Sequence, residues 1–369
     1  MSWLLRYADQ VFGVPAPEDI QRYLGFPDAC YLGYAVQKET RARAASGGVV
    51  SALLIYLLEQ DIIQGALVSR TVVEGGRIQA RPFIAHSREE VLAAQSSIYI
   101  EFPWLREARP LLEETEETLA IVGLPCHVRA LRRLETRNPA LEHKIRLHVG
   151  LICGRSSSKK LLLNVLARKG IPEEKVMDIR FREGHWRGRM HIWLRDGSEI
   201  TFPFQDFSLY RNLHFYCERR CLHCADPLGE QADIVCGDAW LSELRKQPIK
   251  HSLIISRTDQ TTCWVQEMME QRLLAVGDAP PETVFRAQRR GLIPARRGKE
   301  AKSRIGRLLG YRVRSQGAWR SRWNDYLMAA IVLLNHRWSH NRKLSPLIFH
   351  IPKPFLRLYV LVLSLLKQF

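Results

Sequence analysis

The sequence predicts a mixed α/β (α+β) fold: a partly parallel sheet flanked by helices, with a cysteine-rich loop region and a basic helical C-terminal segment. Three observations predict it. The short, continuously apolar runs Leu119 to Gly123 (LAIVG) and Leu147 to Ile152 (LHVGLI) read as strands buried on both faces. Each passes through a short loop into a helical pattern, and strand, loop and helix in succession imply parallel strands. With 369 residues, 46% hydrophobic and 25% charged, the chain is long enough for one large domain or two smaller ones, and disorder throughout is excluded.

The elements follow in order. After a polar leader, Ala45-Ser46-Gly47-Gly48 opens a helix with apolar side chains at Val50, Leu53, Leu54, Leu57 and Leu58, and Ser46 is its expected N-cap. Gly65 to Val68 with TVVEGGRIQARPFIA predicts a strand, a Gly75-Gly76 turn and a second strand. A short helix fits Ser87 to Ala94. LAIVG runs into Leu124-Pro125-Cys126 and a basic helix, and LHVGLI ends at Cys153-Gly154 before the helix SSSKKLLLNVLARKG. Between Ile179 and Phe204, MHIWLRDGSEITFPF reads as a hairpin turning at Asp196-Gly197. The cysteine-rich stretch Cys217 to Cys236 and a shorter α/β piece to about Phe285 complete this part.

The formal net charge of +17 belongs to the remainder. From Arg286 to Phe369, 19 lysines and arginines face two acids, Glu300 and Asp325, whereas the first 285 residues hold 36 bases and 36 acids. The expected division is therefore a neutral core, 1–285, and a basic amphipathic extension, 286–369. Such asymmetry reports on a partner surface more than on fold. Arginines interleaved with Trp319, Trp323 and Tyr311 suit the phosphates of lipid or RNA, with nucleic acid the less favoured partner. Beyond Pro354, Arg357, Ser364, Lys367 and Gln368 share one arc of an otherwise apolar helix. Its uncharged stretch, Leu358 to Leu366, is far short of the roughly 20 residues that span a bilayer. It suits a membrane surface, or equally packing on the body of the protein. Eight cysteines in so long a chain, and an N-terminus MSWLLRYADQVFG without a signal cleavage pattern, predict a cytoplasmic protein, peripheral at the inner membrane surface through its extension.

Cys217, Cys221 and Cys224 stand as C-x3-C-x2-C, a spacing that turns thiolates toward one ion or cluster. A further ligand must come from elsewhere. Cys126 and Cys153 are the candidates, each just after a predicted central strand and before a helix whose N–H groups stabilise an anionic thiolate; core packing is the equal alternative for both. Cys30 and Cys263 stand alone and Cys236 sits inside ADIVCGD, so all three read as small core residues. His127 and His223 adjoin these cysteines, with polar loop roles favoured, and Asp226, Asp233 and Asp238 read mainly as capping or turn residues. A different class stays open: a zinc-stabilised, non-enzymatic binding module whose basic tail contacts membrane or nucleic acid. Zinc ligands usually come as two close pairs, and the dispersed cysteines favour a cluster.

SGGVVSALLIYLL, GLPCHVRALRRL, GLICG and CLHCADPLGEQADIVCGDAW, in that order between about Arg41 and Trp240, resemble the coenzyme F420 hydrogenase/dehydrogenase beta-subunit family. That family includes F420-reducing hydrogenase and formate dehydrogenase subunits, ferredoxin-dependent reductases, and bacterial members linked to surface polysaccharide biosynthesis. The resemblance implies an iron–sulfur flavoprotein oxidoreductase carrying FAD and one [4Fe–4S] cluster, with a ferredoxin-like donor or redox partner subunit and a conjugated small-molecule acceptor. Carried over block by block, it implies Cys126, Cys153, Cys221 and Cys224 as cluster ligands, with Cys217 in reserve. It sets Ser46, Gly47 and Gly48 at the flavin, where glycines permit close approach and a helix N-terminus favours negative charge. Arg41 and Arg43, just before, are candidates for FAD phosphates. The family's Gly-Ser-Lys-Tyr block corresponds to Ser96-Ser97-Ile98-Tyr99, so this chain lacks that lysine's charge.

Overall fold

The computed structural model describes residues 16–315, 317 and 319–367, so the N-terminal leader and Gln368 lie outside the described residues. The described strands are β1 (Ala29–Ala35), β2 (Gly65–Glu74), β3 (Arg77–Ala85), β4 (Leu119–Gly123), β5 (Ile145–Leu151), β6 (Val176–Glu183), β7 (Arg189–Leu194), β8 (Glu199–Pro203), β9 (Ile234–Asp238), β10 (Ser252–Ser256) and β11 (Leu274–Asp278). Eight of them form one sheet in the order β11-β1-β10-β9-β5-β4-β2-β3. Its centre, β2, β4, β5 and β9, is parallel, and the outer pairings are antiparallel. The partly parallel sheet predicted from the two apolar runs is present, and both runs lie in its middle.

The helices are α1 (Pro17–Leu24), α2 (Lys38–Ala42), α3 (Val49–Glu59), α4 (Arg88–Ala93), α5 (Trp104–Glu114), α6 (Pro125–Glu135), α7 (Pro139–Lys144), α8 (Lys159–Ala167), α9 (Gln205–Asn212), α10 (Arg219–Leu222), α11 (Asp259–Glu270), α12 (Pro281–Ala295), α13 (Arg297–Leu308), α14 (Trp323–His340) and α15 (Lys353–Leu366). One sheet face packs Ala120, Val149 and Ile254 against α3 and α11, through Leu53, Leu57, Val265 and Met268. The other carries Leu119 and Ile121 against α5 and α6, and Val235 and Leu253 against α1 and α12. Burial on both faces is why LAIVG shows no alternation. β2 is buried only from Gly65 to Val68; beyond, it leaves the sheet with β3 as its sole partner and becomes half exposed.

The hairpin expected around Asp196-Gly197 is β7–β8, and β6 joins it as a third strand. This small sheet does not stand alone. Phe181, Ile192, Phe207 and Phe215 pack with Met328, Val332, Leu333, Ile348, Leu356 and Leu363, so α14 and α15 supply a wall of the same core. The boundary expected between 285 and 286 falls inside α12, and the basic segment is folded onto the body. Its polar arc is not a water-facing stripe throughout, because Lys367 is buried. No helix among the described residues is long and apolar enough to cross a membrane.

Two buried polar junctions hold the parts in register. Arg297 donates through Nε to Asp325 at 2.6 Å, and the Arg322 N–H caps the same carboxylate at 2.8 Å, which joins α13 to α14. At the sheet, His148 of β5 lies 2.7 Å from Glu135 at the end of α6, and its backbone N–H donates to Asp233, just before β9, at 2.7 Å. Arg132 bridges Asp233 and Glu135. Burial works against a charged His148, but its bonds to Asp233 and Glu135 outweigh that and raise its pKa. Burial likewise opposes ionised Asp233, and His148 with Arg132 overcomes it.

Both junctions are testable. Asp325→Ala strands Arg297 without a partner and lowers stability by about 3 kcal/mol or more in urea unfolding; a loss under about 1 kcal/mol means the pair is dispensable. Because His148 has a raised folded pKa, its contribution is complete below its unfolded value of about 6.5 and is lost as pH rises through the folded value. The stability gap between wild type and His148→Gln is therefore widest near pH 6 and narrows toward pH 9; a gap that widens with pH contradicts the assignment.

Candidate functional site

The carboxyl ends of β4, β5 and β9 lie side by side, and in open α/β sheets the crevice beyond such ends is where ligands bind. β4 runs directly into α6, whose first turn carries Pro125 and Cys126. β5 leads to Cys153, in a loop stitched to the cysteine-rich stretch by backbone bonds. Ile152 N–H donates to Cys236 O at 2.9 Å and Cys153 N–H to Pro227 O at 3.0 Å. Further along, Ser158 N–H donates to Tyr216 O at 2.8 Å and Glu218 N–H to Ser156 O at 3.2 Å. His214 and Tyr216 adopt positive φ, which turns the chain tightly into α10 and brings round Cys221 and Cys224.

Cys126, Cys153, Cys221 and Cys224 converge there, each close enough for its charge to act on the others. Cys217 is fully buried beside Cys221, and its thiol donates to Glu218 O at 3.5 Å. The other three stand apart: Cys30 on β1, Cys236 buried within β9 and Cys263 exposed on α11. Burial raises Cys30 to about 11 and Cys236 to about 12, which suits inert thiols. The S–H of Cys217 and the N–H of Ser156, at 3.3 Å, hold Cys221 down at about 6, aided by Arg220 and Arg155. Burial raises Cys126, Cys153 and Cys224.

The surroundings of these thiols are cationic. Lys302 of α13 and Lys367, just after α15, are each 6% exposed, and their strongest electrostatic neighbours are cations and thiols, with no carboxylate among them. Burial brings Lys302 down to about 8; burial and the neighbouring Arg211 bring Arg155 to about 10. His214, buried among Arg155, Lys367 and Lys302, is held neutral. Arg155 Nε, Arg211 Nε and His214 Nδ1 are buried without a hydrogen-bond acceptor. No motif signalled these residues: Lys302 and Lys367 lie in the segment that reads as an outward-facing basic tail, and Arg155 merely follows GLICG.

His127 stacks on Trp104 with ring centroids 4.7 Å apart, and burial lowers its pKa to about 3, which favours the neutral ring. His223 is lowered too, by burial and then Arg219. Asp226 is buried and accepts from Glu230 N–H, a turn role. Among the described residues, no three His, Cys, Asp or Glu side chains stand close enough to hold one metal ion. A tetrahedral zinc, with Zn–S of about 2.3 Å, needs its sulfurs nearly in mutual contact.

The Ser46-Gly47-Gly48 turn sits at the same end of the sheet, beside β1, β9 and β10. Ser46 is not the N-cap. That position is Gly48, at φ +79°, and Ser46 Oγ donates to His251 O at 2.9 Å. Gly47 N–H donates to Ser252 Oγ at 2.9 Å. A Cβ on Gly47 would lie 2.7 Å from Gly33 O, and one on Gly48 2.6 Å from Thr40 O, so the close approach these glycines permit is to the protein's own backbone. Arg41 is engaged by the carbonyls of Ala35, at 2.6 Å, and Val36; Arg43 is exposed. Next to the turn, Arg182 pairs with Asp238 at 2.6 Å, reaches Tyr99 Oη at 3.4 Å and donates to Ala45 O. Lys250 donates to Ala44 O at 2.5 Å, and burial, then Arg182, lowers it to about 8. Ile98, where the resembled family has lysine, packs into the core around Phe181.

Comparison with known proteins bears on the family and the fold. Residues 30–106 match the family model for the coenzyme F420 hydrogenase/dehydrogenase beta subunit N-terminal part, and residues 116–282 match its C-terminal part. The chain is 28% identical over 245 residues to a coenzyme F420 hydrogenase subunit beta of Methanococcus voltae, covering 65% of this chain and 80% of that one. It is 28% identical over 228 residues to a coenzyme F420-dependent sulfite reductase of Methanocaldococcus jannaschii, covering 58% of this chain and 33% of that protein. A chain of the F420-reducing [NiFe] hydrogenase complex from Methanosarcina barkeri shares the fold, with a TM-score of 0.60 and 20% identity over 83% of this chain and all of that one. With both parts of its sheet and all of its converging thiols inside the matched residues, the chain belongs to the coenzyme F420 hydrogenase/dehydrogenase beta-subunit family.

Proposed function

We propose that this chain is an oxidoreductase subunit that holds a [4Fe–4S] cluster on Cys126, Cys153, Cys221 and Cys224 and FAD beside Ser46-Gly47-Gly48. In this reading it relays electrons between a ferredoxin-like donor or partner subunit and a conjugated small molecule of the F420 type. The observation that carries the cluster is the unbalanced positive charge around the thiols. Burying a cation costs several kcal/mol unless an anion answers it, and among the described residues the strongest electrostatic neighbours of Lys302, Lys367 and Arg155 are thiols and other cations. Orphaned donors on Arg155, Arg211 and His214 call for acceptors in the same space. A cluster ligated by four thiolates is a buried anion with sulfur acceptors, and it spaces its ligands more widely than a zinc ion. The zinc-module reading loses ground on that comparison.

The flavin reading rests on the resemblance and on charge at the strand ends. Ser46 and Gly47 are committed to internal bonds, so their part is to fix the turn and the entry of α3. Arg182 and Lys250 bring positive charge to the side of Tyr99 where Ile98 brings none. Arg43, exposed just before the turn, remains the candidate for a flavin phosphate. When bound, flavin and cluster together couple two-electron to one-electron chemistry. The chain's own residues set the conditions: Cys217 and Ser156 favour the Cys221 thiolate, the cations neutralise added negative charge, and the Phe181–Phe207 core excludes water on one side.

Protein purified without oxygen is expected to contain about four iron and four sulfide per chain together with releasable FAD. Cys221→Ser and Cys224→Ser lose the iron, whereas Cys30→Ser and Cys263→Ser keep it; equal iron in all four variants, or one zinc without flavin, overturns the proposal. Lys302→Gln makes the reduced cluster harder to form, because a neighbouring cation favours added negative charge. The potential measured by electron paramagnetic resonance titration shifts negative, Lys302→Arg restores it, and an unmoved potential removes Lys302 from the account.

A further inference from the structure

Where the segment beyond residue 282 packs on the family-matched part of the chain, the two enclose a cavity. It holds about 190 Å³ and lies between α9, α12, α15 and the turn before β7. Arg187 enters from the turn, Arg290 from α12 and Arg357 from α15, with Gln205 and Asn212 of α9 between them and Leu361 on the apolar side. Among the described residues, no ion pair or hydrogen bond engages any of the three guanidinium groups. Arg187 and Arg290 repel one another, and Arg290 acts in turn on buried Lys367. Three cations from three separate elements thus meet at one cavity with no carboxylate among the described residues of its lining.

We propose that this cavity binds a small ligand bearing two adjacent negative groups, a diphosphate or a pair of carboxylates, clamped by Arg187, Arg290 and Arg357. Planar guanidinium forks pair with phosphate and carboxylate oxygens two at a time, which a lysine cluster would not do. The volume is below the range of about 300–1,000 Å³ that drug-sized ligands fill. The site therefore takes an anionic group with a short apolar neighbour, not a whole dinucleotide, and Leu361 with Val360 provides the apolar contact. In this proposal the ligand is distinct from the flavin, and α15 forms one wall of its site. The inference does not depend on the redox reading.

The test is calorimetric titration of the full chain with inorganic pyrophosphate and, separately, with succinate, at low ionic strength. One of the two is expected to bind at one site per chain. Arg290→Gln and Arg357→Gln each weaken that binding by about tenfold, the loss of one charge-assisted pair, and the double variant abolishes it; Arg77→Gln, at the β2–β3 turn, leaves it unchanged. All these arginines are exposed, so the variants fold, which circular dichroism checks. No saturable binding of either probe overturns the proposal, as does binding that survives in the double variant. If the double variant instead loses its bound flavin, the diphosphate in the cavity is the flavin's own, and a separate ligand is ruled out.

Discussion

A group of buried cations whose strongest electrostatic neighbours among the described residues are thiols and other cations is the constraint on which the rest of this structure turns. Lys302 and Lys367 are about as buried as Leu141, and their neighbours are thiols and other cations. Desolvating such groups is tolerable only where an anion sits among them. The thiols of Cys126, Cys153, Cys221 and Cys224 share that space with Cys217 and with Asp226, whose charge acts on Cys224, and burial raises the pKa of Cys126, Cys153 and Cys224. Under the proposed function, one anionic cluster answers both the thiols and the cations. The sheet supplies the geometry: its parallel strands end together, and the His148–Glu135–Asp233 junction locks the helix carrying Cys126 to the strand leading to Cys153.

This makes the C-terminal segment part of the centre. Charge counted along the sequence shows a neutral body and a basic tail, which suggests a tail reaching for an external polyanion. In the fold, α13 delivers Lys302 inward, Lys367 follows α15 into the interior, and Asp325, one of only two acids in the segment, is used to fix α14 against Arg297. Two acids are too few for the bases of the segment, so Arg286, Arg296 and Lys353 reach out to Glu243, Glu230 and Asp206 of the core, and further cations lie elsewhere. Some face the thiols, and others line the cavity between α9, α12 and α15. The net charge of the segment was legible in the sequence; its direction was not, because direction depends on which helix faces pack against the β6–β8 sheet, a tertiary fact that a one-dimensional count does not hold.

The elements that the sequence did reveal share a physical cause. LAIVG and LHVGLI are buried on both sides, so they are apolar throughout and stand out. Gly75-Gly76 and Asp196-Gly197 take positive φ at glycine, which turn chemistry makes visible. The cysteine spacing stands out because few folds need three thiols within eight residues. Ser46 went the other way. A serine before a helix usually caps it, but here Gly48 occupies the cap in a left-handed conformation, and the serine hydroxyl is turned to carbonyls of the neighbouring β-strand region. β6 was missed as a strand of the small sheet because it is interrupted by register shifts that blur its alternation.

The glycine pair bears on how family motifs should be read. A Ser-Gly-Gly block at a helix start invites the explanation that glycine makes room for a cofactor. In this chain the room is already taken: Gly33 O, Thr40 O and Ser252 crowd the positions where side chains would be. The motif therefore acts one step earlier, by letting the β1–α3 connection lie against β10 so that α3 begins at the carboxyl edge of the sheet. If a flavin binds there, it meets the consequences of that packing, the first turn of α3 and the charges of Arg182 and Lys250, more than the glycines themselves. A substitution at Gly48 would then act through the position of the whole turn, and its effect on fold and on cofactor retention would be inseparable, whereas Lys250 and Arg43 are the positions at which a purely electrostatic contribution can be isolated.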